Sequence, residues 1–120
     1  MATAAEFVGL MFFERTVTHA QHLVTSSFAQ HKALDDFYNE IVDLADSFAE
    51  AYQGKYGPLD GIQLSWAAPD AEIAEFIRDG MNWIETNRFM IAPVRDTFLQ
   101  NLIDEVVALH STTLDKLRRY

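Results

Sequence analysis

Three of the four histidines fall within thirteen residues: His19, His22 and His31. Asp35, Asp46 and Glu50 follow. His31 and Asp35 are spaced i,i+4, and so are Asp46 and Glu50. The eleven residues from Asp35 to Asp46 make about three turns at ~3.6 residues per turn. On a helix, His31, Asp35, Asp46 and Glu50 therefore share one stripe of about 100°. Imidazole nitrogen with three carboxylates is a donor set for hard or borderline divalent metals such as iron, manganese or zinc.

The direction of that stripe is set by its neighbours. Leu34, Phe37, Ile41, Leu44 and Phe48 recur at 3-4-3-4 spacing, which is the buried seam of a bundle helix. The stripe lies roughly 150° from the seam and points away from the core of its own chain. Lys32, Asp36, Asn39 and Asp43 share its side, so a solvated polar face is the competing reading. A metal centre there requires a second chain to close it. His19 shares a face with Phe12 and Leu23, which suits a packed histidine as well as a ligand. His22 lies two turns beyond Glu14, too far for direct pairing. His110 has no carboxylate at i±3 or i±4. Phosphate-binding glycine loops, dinucleotide fingerprints, a G-x-S-x-G elbow and paired E-x-x-H motifs are absent. No catalytic and no organic-cofactor residues are assigned.

Helices must position these groups. The first 53 residues hold one glycine, Gly9, and no proline, so helix is expected over 2–24 and 28–53. Ser27 and Gln30 have capping-box spacing and mark Ser27 as the N-cap of the second helix; one long kinked helix is the alternative. Gly54, Gly57, Pro58 and Gly61 open a long loop to about Ala68. Pro69-Asp70 starts a third helix over 69–90, since proline and acids suit a first turn. Pro93 separates it from a fourth over 94–118, with Arg118, Arg119 and Tyr120 at its end. The fourth offers an apolar set from Val94 and Phe98 to Leu117. The expected architecture is all-α, an up-down four-helix bundle in one domain spanning 1–120.

Composition narrows the function. The formal net charge is −9, from 9 Lys and Arg against 18 Asp and Glu. The basic residues are not clustered, so nucleic acid and anionic membranes are poor partners. The absence of cysteine removes disulfides, thiolate metal sites and Cys nucleophiles. No apolar run reaches the ~18 residues of a transmembrane helix, and Glu6 precedes the run Phe7 to Phe13 where a signal peptide is basic. A cytoplasmic protein is expected.

The pattern His19-x11-His31-x3-Asp35-x10-Asp46-x3-Glu50 resembles the ferroxidase signature of Dps, the ferritin-like mini-ferritins. Asp46-Ser47-Phe48-Ala49-Glu50 resembles that family's D-x-x-A-E. The likeness covers about residues 19–57. It implies a ferritin-like bundle in which His19, His31 and Asp35 of one subunit meet Asp46 and Glu50 of a two-fold mate around iron. There are departures: Ala20 stands where the family usually has Trp, Thr25-Ser26-Ser27 replaces a glycine-containing junction, and Ala51 follows where Arg is common. The chain is shorter and has no Lys-rich tail, so the resemblance does not carry over the family's closed storage cage or DNA protection. Its size and the stretch from Glu50 to Gly57 look closer to short Dps-like proteins of tailed phages, which implies a host cytoplasm. The expected function is iron or other divalent-metal binding in a homodimer or larger two-fold assembly, with residual ferroxidase activity. The alternative is a non-enzymatic module that binds a host protein or sequesters a small host signal, with Tyr56, Leu59, Ile62, Leu64 and Trp66 of the long loop as its surface.

Overall fold

The structure is a computed structural model that describes residues 3–119. Its elements are α1 (Ala4–Val24), α2 (Phe28–Tyr56), α3 (Ile73–Ile91) and α4 (Thr97–Arg119). The described residues contain no strand. The expected positions Ala2 and Tyr120 lie outside them.

Helix ends follow local chemistry. The Glu6 amide donates to Thr3 Oγ1 at 3.1 Å, which caps α1. The α1–α2 break falls at Thr25-Ser26-Ser27, and the Gln30 amide donates to Ser27 Oγ at 3.1 Å. The reciprocal half of the capping box is missing, because Gln30 Oε1 accepts instead from Gln21 Nε2 at 3.2 Å. Helix α2 runs three residues beyond the expected 53 and stops at Gly57, whose φ of 96° few other residues adopt. The third helix begins at Ile73, not Pro69. Pro69 and Asp70 belong to the connection. The fourth begins at Thr97, not at 94, because Asp96 is its cap: Oδ1 accepts from the Leu99 amide at 3.2 Å.

Pairing between elements gives the topology. Phe7 meets Phe48 edge-on at 4.8 Å, and Gln21 meets Gln30, so α1 and α2 are antiparallel. Tyr56 and Lys55 reach Asp96, while Lys116 reaches Asp36, so α2 and α4 are antiparallel. Arg88 bonds Gln100 and Asp104 across the α3–α4 elbow. Phe13 meets Phe76 edge-on at 5.4 Å, and Ile73 lines one groove with Ala20 and Gln21, so α3 descends against α1. The order around the bundle is α1, α2, α4, α3. Helices α2 and α3 are thus parallel, and the sense is up-down-down-up. The expected up-down alternation fails at the third helix because residues 57–72 carry the chain back along the full length of the bundle. Gly9 lies under this strap: a Cβ there would sit 3.2 Å from the Gln63 carbonyl oxygen. Trp66 stacks on Phe13 at 4.9 Å one turn further along α1.

The core is formed by one face of each helix. Phe7, Met11, Leu34, Phe37, Ile41, Phe48, Ile77, Ile84, Leu99 and Ile103 are fully buried. The expected seam of α2 holds at Leu34, Phe37, Ile41 and Phe48. Leu44 is only half-buried, and Ala45 takes the innermost place. Val94 and Phe98, expected on the apolar face of α4, are 65% and 63% exposed. They flank the elbow before the helix turns inward.

Ile41→Ala should cost about 2–5 kcal/mol of stability, and Leu44→Ala less, because its side chain is already partly solvated. Urea unfolding of the two variants checks the ranking. Equal losses would show that the seam is misplaced.

Candidate functional site

Two polar clusters stand out, one inside the bundle and one at its surface. Inside, Glu14 of α1 and His110 of α4 are fully buried and meet at 2.7 Å. His110 Nδ1 lies 2.7 Å from the Val106 carbonyl oxygen, and Nε2 lies 2.7 Å from Glu14 Oε2. Both ring nitrogens face oxygens, an arrangement that favours the doubly protonated ring against an ionised carboxylate. Burial alone would lower the His110 pKa. The Glu14 charge, its hydrogen bond and the Val106 carbonyl together outweigh that and raise it above 6.5. Gly80 of α3 makes room for the carboxylate, since a Cβ there would overlap Glu14 Oε2. Phe37 of α2 packs edge-on against the imidazole at 5.2 Å. All four helices thus meet at this pair. Its position and packing make it a structural clamp.

The second cluster joins the top of α1 to the start of α2. His22 Nδ1 lies 2.6 Å from the His31 carbonyl oxygen, and His31 Nδ1 lies 2.7 Å from that of His22. A carbonyl only accepts, so both Nδ1 atoms carry protons and each Nε2 is the nitrogen left to act as a ligand. The two rings stack at 3.7 Å. His22 is buried and His31 is half-exposed. His19 stacks on Tyr38 at 4.2 Å. Asp35 accepts from the Asn39 amide and, by hydrogen bonding, raises the Tyr38 pKa. His19 and His22 therefore pack on Tyr38, His22 edge-on at 5.2 Å, with Asp35 beside the tyrosine and His31 one ring further out, stacked on His22.

Asp46 and Glu50 are exposed on the same outward side. They lie about 16 Å further along the axis at ~1.5 Å per residue. Among the described residues no three His, Asp or Glu converge on a common point within the chain. The spacing-derived ligand set is thus divided into two halves.

Sequence reasoning missed the Glu14–His110 pair because the partners are 96 residues apart. The available signal was a polar residue in register with the apolar core positions of each helix, Glu14 after Phe7 and Met11 and His110 after Ile103 and Val106, with Gly80 mid-helix in α3. The loop residues expected to form a binding surface separate: Leu59 and Ile62 pack on the core, whereas Leu64 and Trp66 are exposed. Tyr56 donates its hydroxyl to Asp96 Oδ2 at 2.8 Å.

The fold and its polar clusters thus define an all-α bundle with one long crossover, a buried Glu14–His110 pair and a surface cluster of histidine, tyrosine and carboxylate. The chain belongs to the family described as a family of unknown function (DUF5856), whose model matches residues 22–117. It is also similar to the "Uncharacterized 14.6 kDa protein in mobD-ri intergenic region" of Enterobacteria phage T4, at 41% identity over 54 residues. That alignment covers 45% of this chain and 42% of the phage protein, so the chain spans about two-fifths of the length of this curated relative. No solved structure matches. No described helix is long and apolar enough to cross a membrane.

Gly80→Ala should destabilise the fold by about 3–5 kcal/mol, as expected for breaking a buried pair. The gain of ~1 kcal/mol in helix propensity does not offset this. The clamp also sets a pH dependence. The folded protein holds a proton on His110 above the ordinary pKa of 6.5. Its contribution is complete below about 6.5 and is lost as pH rises through the folded value. Chemical denaturation from neutral to alkaline pH should show stability falling in the wild type, with the slope removed in Glu14→Gln. A slope that persists in that variant would assign it to other groups.

Proposed function

We propose that this protein is a ferritin-like, divalent-metal-binding bundle whose centre forms between two copies of the chain. The observation that carries this reading is the symmetry of the outward face of α2. His31 and Glu50 lie equally far from the point between Glu40 and Ile41, and so do Asp35 and Asp46. If two α2 helices pack antiparallel about a two-fold axis through that point, His31 faces the mate's Glu50 and Asp35 faces the mate's Asp46. Such an isologous contact makes the same pairing twice. His19, beside Tyr38, supplies a further nitrogen at each end.

The donor chemistry fits a metal. Each Nδ1–H of His22 and His31 is committed to a backbone carbonyl, which is the outer hydrogen bond that orients a ligating imidazole. His31 presents Nε2, while His22 is buried behind it. Facing carboxylates repel each other without a cation and accept a hard or borderline one. The single long crossover is the connectivity of ferritin-like bundles, and with the Dps-like spacing it favours iron. Iron held there supplies a redox couple for ferroxidase-type turnover; zinc or manganese suits the same donors without turnover. The chain's own residues hold the ion, fix the imidazole tautomer and neutralise the charge. The similarity to a phage protein supports a setting in the cytoplasm of a bacterial host.

Melting curves test this with Zn²⁺ in air and Fe²⁺ under nitrogen, alongside light scattering at micromolar protein. The expected mass is twice 13.7 kDa or more. The expected stabilisation is about 2.7 kcal/mol at a hundredfold excess of metal over its dissociation constant. It should vanish in Asp46→Ala. A monomer, or equal shifts in wild type and variant, would overturn the reading.

A further inference from the structure

An apolar groove of about 470 Å³ lies between α1, the strap and the start of α3. On α1 it follows Phe13, Val17, Ala20 and Val24, about 16 Å or three helical turns. Trp66 of the strap and Phe76 of α3 form its other walls. At its upper end it runs into an acidic hollow of about 600 Å³ lined by Asp70, Glu72 and Glu75. The two share Gln21, Pro69, Ala71 and Ile73, so they form one continuous surface. No Lys, Arg or His lines either part. Three carboxylates outweigh the partial charge of about +0.5 at the start of α3. The hollow is therefore negative, on a chain whose net charge is −9. Val24 is 76% exposed, so the open end of the groove presents hydrocarbon to water.

We propose that this surface docks a basic amphipathic helix of a partner protein. Apolar side chains on one face of the partner helix lie along Phe13 to Val24. Lysines or arginines at one end meet Asp70, Glu72 and Glu75. The length of the apolar stripe favours a helical segment of about three turns, with anchors at i, i+3, i+4 and i+7. The acidic end favours a cationic partner and sets its orientation, because the reversed helix places charge on hydrocarbon. The same surface of a second copy is disfavoured here, because its own Asp70, Glu72 and Glu75 would face these three carboxylates. The groove is separate from the outward face of α2, and Gln30 is the one α2 residue along its rim. Docking and metal binding therefore succeed or fail independently.

Isothermal titration calorimetry with a synthetic Leu/Lys amphipathic helix of about four turns tests the proposal. Its controls are a scrambled peptide of the same composition and a version with Glu in place of Lys. The Leu/Lys helix should bind, and both controls should bind at least tenfold more weakly. Val24→Arg and the double variant Glu72→Lys/Glu75→Lys should each weaken binding at least tenfold. All three positions are exposed, so these variants keep the fold, which circular dichroism verifies. Glu40→Lys/Asp43→Lys makes the same charge change on the exposed side of α2 and should leave affinity unchanged. No binding, equal binding of either control peptide, or equal weakening by the α2 variant would overturn the proposal. The last of these would show diffuse attraction to an acidic protein.

Discussion

A charged hydrogen bond in the middle of an apolar core limits how these four helices can stack. Glu14 and His110 belong to α1 and α4, which stand diagonally across the bundle and do not pack directly. Their side chains span the centre. Gly80 of α3 yields space for the carboxylate, and Phe37 of α2 closes over the imidazole. An alternative packing that rotates or slides one helix by a turn leaves a buried charge unpaired, at a cost of several kcal/mol. Apolar side chains alone tolerate such slips far better. The pair adds little net attraction, but it penalises the wrong arrangements.

The helices were legible in the sequence because they depend on local chemistry. Ser27 as an N-cap and the Leu34–Phe48 seam act over one or two turns; the stop expected at Gly54, which instead stays helical, falls three residues later at Gly57. Legibility ended where a residue's role depends on a distant partner. Asp96 is read locally as an unremarked acid after Pro93, yet it caps α4 and holds both Lys55 and Tyr56 from the end of α2. That threefold use of one carboxylate, with Lys55 first among the causes, holds its pKa below the ordinary range. The direction of α3 was hidden for a similar reason. A loop rich in glycine suggests a turn, whereas residues 57–72 are an extended strap whose course is set by contacts with Gly9 and Phe13.

The site was partly legible. Spacing alone puts His31, Asp35, Asp46 and Glu50 on one stripe of α2; Asp46 and Glu50 are exposed, whereas Asp35 and His31 are half-buried, His31 against His22 of α1. Spacing did not reveal the reciprocal His22 and His31 contacts with each other's backbone. Those contacts arise from the tight junction that turns α1 into α2. The junction thus does two things: it reverses the chain and it fixes which nitrogen of His31 points outward.

The strap also gives the molecule a seam. Cutting the chain between Gly61 and Ser65 divides it into two helical hairpins, one holding α1 and α2 and the other α3 and α4. Each hairpin keeps one helix–helix interface, and each carries half of the other two. Neither half alone can pair its buried charge, since Glu14 is in the first and His110 in the second. The halves are therefore mutually obligate: each exposes an ionised group and an apolar face that only the other half covers. The strap is thus a single covalent link between two hairpins whose buried charges and apolar faces are complementary.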